Sequence, residues 1–164
     1  MKKIIASALI TFLLFSCGNE TTNVKKLQSR IDSLEQKIKD SYKPGLGEFM
    51  SDIQVHHAKL WFAGMNENWD LADFEIHEIM ESVDDIKKYE TDRSESKSVP
   101  MIEPAIDSLN IAIQKKDLSQ FKNNFLLLTN TCNKCHRAVN YSFNDVKIPE
   151  SPPFSNQVFK KVEK

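Results

Sequence analysis

Apolar residues recur along this chain at alternating steps of three and four, the spacing that keeps one face of a helix apolar. Val24, Leu27, Ile31, Leu34 and Ile38 open the pattern, with Lys, Arg, Asp and Glu between them. So narrow a seam predicts an amphipathic helix of the coiled-coil kind, acting as a stalk, as a weak homodimer contact through residues 24–38, or as an extra helix lying on the domain. Tyr42-Lys43-Pro44-Gly45 and Gly47 then interrupt the pattern and mark a linker.

Four further helices are predicted. The first, about 46–65, sets Met50, Ile53, His57, Leu60, Trp61 and Gly64 along one side; the second, about 67–90, carries Trp69, Ala72, Ile76, Ile79, Val83 and Ile86. A polar loop from Thr91 to Ser98 leads to Pro100, and a third helix, about 100–115, presents Ile102, Ile106, Leu109 and Ile113. Asp117 is placed to cap the fourth helix, with Gln120 at the capping-box position. That helix carries Leu118, Phe121, Phe125, Leu128, Cys132 and Cys135 on one stripe. Short connections between helices of similar length favour antiparallel neighbours. The expected fold is therefore all-α, an antiparallel up-down-up-down four-helix bundle preceded by a short coiled-coil-like helix. The segment 145–164 holds three prolines and is expected to run extended, either wrapped on the bundle through Ile148, Phe154 and Phe159 or loose.

The N-terminus changes the setting. Met1-Lys2-Lys3 precedes an apolar run, Ile4–Phe15, that is short for a permanent membrane span, and Leu14-Phe15-Ser16-Cys17 resembles a bacterial lipoprotein processing site. The expected organisation is a signal peptide over 1–16, a tether over 17–45 lipid-anchored through Cys17, a helical domain over 46–144 and a tail over 145–164. The chain is then exported and held on a periplasmic or cell-surface membrane face. Loss of residues 1–16 removes Lys2 and Lys3 and no acid, which takes the formal net charge from −1 to −3. Nothing in that balance points to nucleic acid.

Candidate chemistry centres on Cys132-Asn133-Lys134-Cys135-His136, the CxxCH arrangement of c-type haem attachment. Two thiols form thioethers to the haem vinyl groups, and the adjoining imidazole binds iron. CxxC also serves disulfide exchange, zinc sites and structural disulfides. The first expects a helix N-terminus beside a βαβ pattern; zinc needs a fourth ligand that this cluster lacks; a structural disulfide has no use for the histidine. With Cys17 assigned to lipid, no thiol remains for a structural disulfide.

On these residues the chain, over about 46–141, resembles the cytochrome c′ class, four-helix bundles with CxxCH near the end of the last helix and, in low-spin members, a Met early in the first. The resemblance implies haem c as cofactor. It further implies either electron transfer with His and Met as axial ligands, or capture of nitric oxide or carbon monoxide at an open sixth position. The chain departs from the class in its preceding tether and in lacking a clear basic residue a few positions after the haem His, although Arg137 directly follows it.

The second axial ligand is chosen by height. In an antiparallel bundle the start of the first helix lies beside the end of the fourth, so Met50 meets His136. His57 falls seven residues, about 10.5 Å, further along, nearer Leu128. Met50 is the expected sixth ligand and His57 the alternative. His56 points away from His57, and His77, with Glu75 and Glu78, reads as a solvated face. Trp61, Phe62 and Trp69 are read as packing; Lys59 and Arg137 are read first as ordinary charged helix faces, with neutralisation of haem propionates as the alternative. With no acid–base or nucleophile–base set beside the motif, the expectation is a membrane-tethered carrier whose redox partner proteins the sequence does not name, not an enzyme.

Overall fold

In the computed structural model the described residues are 18–39, 41 and 44–162. The proposed signal peptide and Cys17 lie outside them. The chain is all-α: among the described residues there is no strand. It divides into two compact units that meet between Lys43 and Pro44. The first contributes one helix, α1 (Gly18–Lys39), whose apolar seam is exposed.

The second unit is a ring of four helices, α2 (Leu46–Met65), α3 (Trp69–Tyr89), α4 (Glu103–Gln114) and α5 (Leu118–Ala138), each packed on the next and α5 on α2. Helices α2 and α3, and likewise α4 and α5, are joined by the same tight device. Glu67 and Lys116 adopt left-handed φ of 53° and 54°. The following N–H groups, of Asn68 and Asp117, each reach back to close the preceding helix in a 6→1 bond, to Ala63 O and Ala112 O at 3.0 Å. Those same residues then cap the next helix through their side chains: Asn68 accepts from Leu71 N at 3.4 Å, and Asp117 from Gln120 N at 2.9 Å. One residue thus ends one helix and begins another, which forces the chain to double back. Gln120 donates to the Asp117 carboxylate (2.7 Å) instead of reaching the cap's backbone, as a full capping box would.

Residues 91–94 form the predicted polar loop, but its second half and the start of the predicted third helix make a 3₁₀ helix, Glu95–Ile102, which buries Ser96, Val99 and Ile102. The reason is proline. Pro104 has no N–H to continue an α ladder, so it is tolerated only in a first turn, and α4 starts at Glu103 rather than at Pro100.

The register of α2 against α5 is antiparallel. Gly64 faces Phe121, His57 faces Phe125 and Thr129, and Met50 lies with Cys132 and His136. At the far end Trp61 and Trp69 pack on Phe121, and Trp61 also on Phe125, as the core reading of the tryptophans expects. Gly64 is required there, because a Cβ would overlap the Phe121 ring. Glu75 departs from its predicted solvated face and is fully buried. It lies one step from Ala72 and Ile79 on the apolar stripe, and it is accommodated by His56 Nδ1 at 2.6 Å and Lys59 Nζ at 3.0 Å. The lysine contact is an ion pair without a directed hydrogen bond to Oε1. His77 is exposed, as expected, with Nδ1 on Asp73 O at 2.7 Å.

The tail wraps the second unit without regular structure. Ile148 packs on the core, and Phe159 is buried against Phe62, with its carbonyl accepting from Asn68 Nδ2 at 3.2 Å. Phe154 stays exposed. Phe62, read from sequence as packing around the core, packs on the tail.

Candidate functional site at the end of the last helix

The last two turns of α5 carry Cys132, Cys135 and His136, and the antiparallel register brings the first turns of α2 beside them. Between them lies a cavity of about 220 Å3. Met50, Cys132, Cys135 and His136 all line it, so the four residues selected from sequence converge on one space. Its walls are otherwise largely apolar: Ile53 from α2, Val83 from α3, Val99 and Ile102 from the 3₁₀ helix, and Val146 from the tail. A second recess of about 300 Å3 adjoins it, sharing Met50, Cys135 and His136 and rimmed by Arg93, Glu95 and Tyr141. Together the two fall within the roughly 300–1,000 Å3 that small-molecule and cofactor sites occupy.

The imidazole of His136 is oriented by the tail. Its Nδ1 lies 2.6 Å from Asn144 O; a carbonyl only accepts, so Nδ1 carries the proton and Nε2 keeps its lone pair. A histidine that binds a metal holds its other ring N–H on a carbonyl or carboxylate in this way. Asn140, at φ 66°, permits the turn that makes it: Tyr141 N closes α5 on His136 O at 2.7 Å and sends the chain back along the helix. Asn133, inside the CxxCH motif, then clamps the returning strand from both sides. Its Nδ2 donates to Val146 O (2.7 Å), and its Oδ1 accepts from Val146 N (2.8 Å).

Both cysteines are free thiols. Burial pushes Cys132 up to about 12 and also raises Cys135. Thiols at a helix C-terminus, where the dipole disfavours an anion, and desolvated in addition, are held protonated. That is opposite to the lowered pKa of a disulfide-exchange pair. Cys135 Sγ–H donates to Ser98 O at 3.7 Å.

His57 lies where its height predicts, its ring 4.4 Å from that of Phe125 and Nε2 2.9 Å from Thr129 Oγ1. The Thr129 hydroxyl donates to Phe125 O, so it accepts from His57. Burial lowers the His57 pKa to about 4, leaving it neutral at the deep end of the same cavity.

Lys59 and Arg137, the alternative cations for propionates, line neither space, in keeping with their reading as charged helix faces. Lys59 is held on Glu75, and Arg137 faces Asp145 at 3.8 Å. A buried carboxylate captures Lys59, a partner that local periodicity does not reveal. Arg93 is the cation that lines the recess, paired at 2.9 Å with Glu95. The Arg93 contact, with help from the Tyr141 hydroxyl, holds Glu95 down to about 2. Arg93, Asn133 and Asn144 were not singled out in the sequence. Arg93 sits in a stretch that reads as solvated loop; Asn133 acts on the backbone of a residue thirteen positions on, and Asn144 lends its own carbonyl to the His136 ring eight positions back, which no spacing rule marks.

Among the described residues no group of three or more His, Cys, Asp or Glu side chains is arranged to hold a metal ion by itself. No helix there is long and apolar enough to cross a membrane. Comparisons with family models, curated proteins and solved structures returned no match.

Proposed function

We propose that the protein is an exported, lipid-anchored c-type cytochrome, similar to low-spin members of the cytochrome c′ class, that carries electrons. The observation that carries this reading is the convergence of Met50, Cys132, Cys135 and His136 on one apolar-walled cavity, with His136 already oriented to offer Nε2.

These residues fit haem c. Cys132 and Cys135 would each hold it through a thioether at a vinyl group, an S–H addition that needs no oxidant and releases no leaving group. His136 would hold the iron through Nε2, its ring fixed by the hydrogen bond from Nδ1 to Asn144 O. Met50 would supply a thioether, which raises the reduction potential relative to a second imidazole. Arg93 takes the place of Lys59 and Arg137 as the cation for a propionate. Bound haem supplies one-electron exchange between ferric and ferrous iron; the chain fixes the ligands and excludes water.

The absorption spectrum of the natively matured protein tests this. A low-spin ferric spectrum with the weak far-red Met–iron band is expected, and Met50→Ala should convert it to high-spin. An unchanged low-spin spectrum in that variant would remove Met50 as a ligand and point to His57. A native high-spin spectrum that shifts on adding nitric oxide would replace the carrier with a gas-binding module.

A further inference from the structure

The seam of α1 is left uncovered. Val24, Leu27, Ile31, Leu34 and Ile38 are between 47 and 69 % exposed, on a 22-residue helix whose other faces are polar. The helix has some support of its own, such as Gln28 Nε2 on Asp32 Oδ1 at 2.8 Å. Such exposed pairs contribute little each, so a stable helix needs its seam buried.

We propose that α1 pairs with a second copy of this chain as a parallel, in-register, two-stranded coiled coil. Two features of the helix select this occupant. The first is the chemistry of the seam. Val24, Ile31 and Ile38 fall at position a of the heptad and Leu27 and Leu34 at d, and β-branched residues at a with Leu at d favour two parallel strands over higher assemblies. The second is charge. Arg30 and Lys37 occupy g, and Gln28 and Glu35 occupy e. Parallel pairing sets Arg30 against Glu35 of the second copy, and by symmetry the reverse. Antiparallel pairing sets g against g and brings Arg30 and Lys37 against the same cations of the other chain. Parallel strands also bring both N-terminal ends to one side, as two copies anchored through Cys17 in one bilayer require. That last point rests on the proposed anchoring; the seam and the charges do not. Little more than two heptads associate weakly in water, and confinement to one membrane raises the effective concentration.

Cysteine cross-linking of the full chain in cells tests the pairing, with the parent chain, whose own thiols set the background, run alongside. Leu27→Cys and Leu34→Cys should each give a disulfide-linked dimer on mild oxidation, and Ser29→Cys, on the outer face, should not. Adding Arg30→Glu to Leu34→Cys should weaken dimerisation on the order of tenfold, from two lost ion pairs and two new repulsions. Adding Glu35→Arg as well should restore it. Dimers that form only when Val24→Cys and Leu34→Cys chains, or Ile31→Cys and Leu34→Cys chains, are co-expressed would show antiparallel strands, in which a faces d of the other chain, and overturn the proposal. So would equal yields at Ser29→Cys, or no dimer at either leucine position. Sedimentation of the same samples reports the anchoring separately: a chain that fails to pellet with membranes refutes the lipid anchor, whatever the cross-links show.

Discussion

His57 gives the sharpest test of how α2 meets α5. It is buried, its ring against Phe125, with Nε2–H on Thr129 and a pKa lowered by burial to about 4. An unfolded histidine titrates near 6.5, so between pH 6.5 and 4 the unfolded chain binds the proton that the folded one refuses. Stability is therefore complete above about pH 6.5 and falls as the pH drops through that window. Linkage with these two values gives a loss from His57 of about 2 kcal/mol at pH 5 and about 3 kcal/mol at pH 4. The perturbation is His57→Gln, which keeps a donor for Thr129 and does not titrate. Urea unfolding at pH 7, 6, 5 and 4 should show the parent losing stability faster than the variant by those amounts, carboxylate contributions being common to both. Parallel curves, or an NMR titration of His57 centred near 6.5, would refute the placement of this ring in a desolvated wall.

Two further substitutions probe the frame around the cavity. Gly64→Ala gains about 1 kcal/mol of helix propensity but drives a methyl into the fully buried Phe121 ring, which Trp61, Trp69 and Phe125 hold in place. Overpacking of this kind costs about 1–3 kcal/mol, so a lower thermal midpoint is expected, with partial recovery in Gly64→Ala/Phe121→Leu. Asn133→Ala removes both bonds to Val146 and should lose about 1–3 kcal/mol in urea unfolding, with faster amide exchange at Val146; Asn133→Asp, which keeps the acceptor, should fall between.

What could be read in advance follows from the range of the interactions concerned. The three–four periodicity records which face of each helix is buried, and an antiparallel bundle converts sequence position into height. Hence the four helices, the Asp117 cap, the place of His57 and the meeting of Met50 with the CxxCH motif were all legible. Polar partners across the bundle were not. Glu75 and Lys59 each look like ordinary surface charges until a neighbouring helix brings them together, and the periodicity that places Glu75 on the Ala72–Ile79 stripe was outweighed by its charge. The 3₁₀ helix reflects two prolines four residues apart in a stretch whose composition reads as loop. The tail was undecided because an extended segment has no internal periodicity. Its hold on the bundle comes from Asn133, Asn68 and His136, side chains whose tail partners are backbone atoms that sequence does not distinguish.

The proposed function stands or falls with covalent attachment of haem through Cys132 and Cys135. Intact-mass measurement of the chain exported from a host competent for cytochrome c maturation tests it most directly. The chain's mass should rise by one haem, an increment lost in Cys132→Ala/Cys135→Ala; an exported chain with no haem mass, its two thiols free or joined to each other, would overturn the proposed attachment.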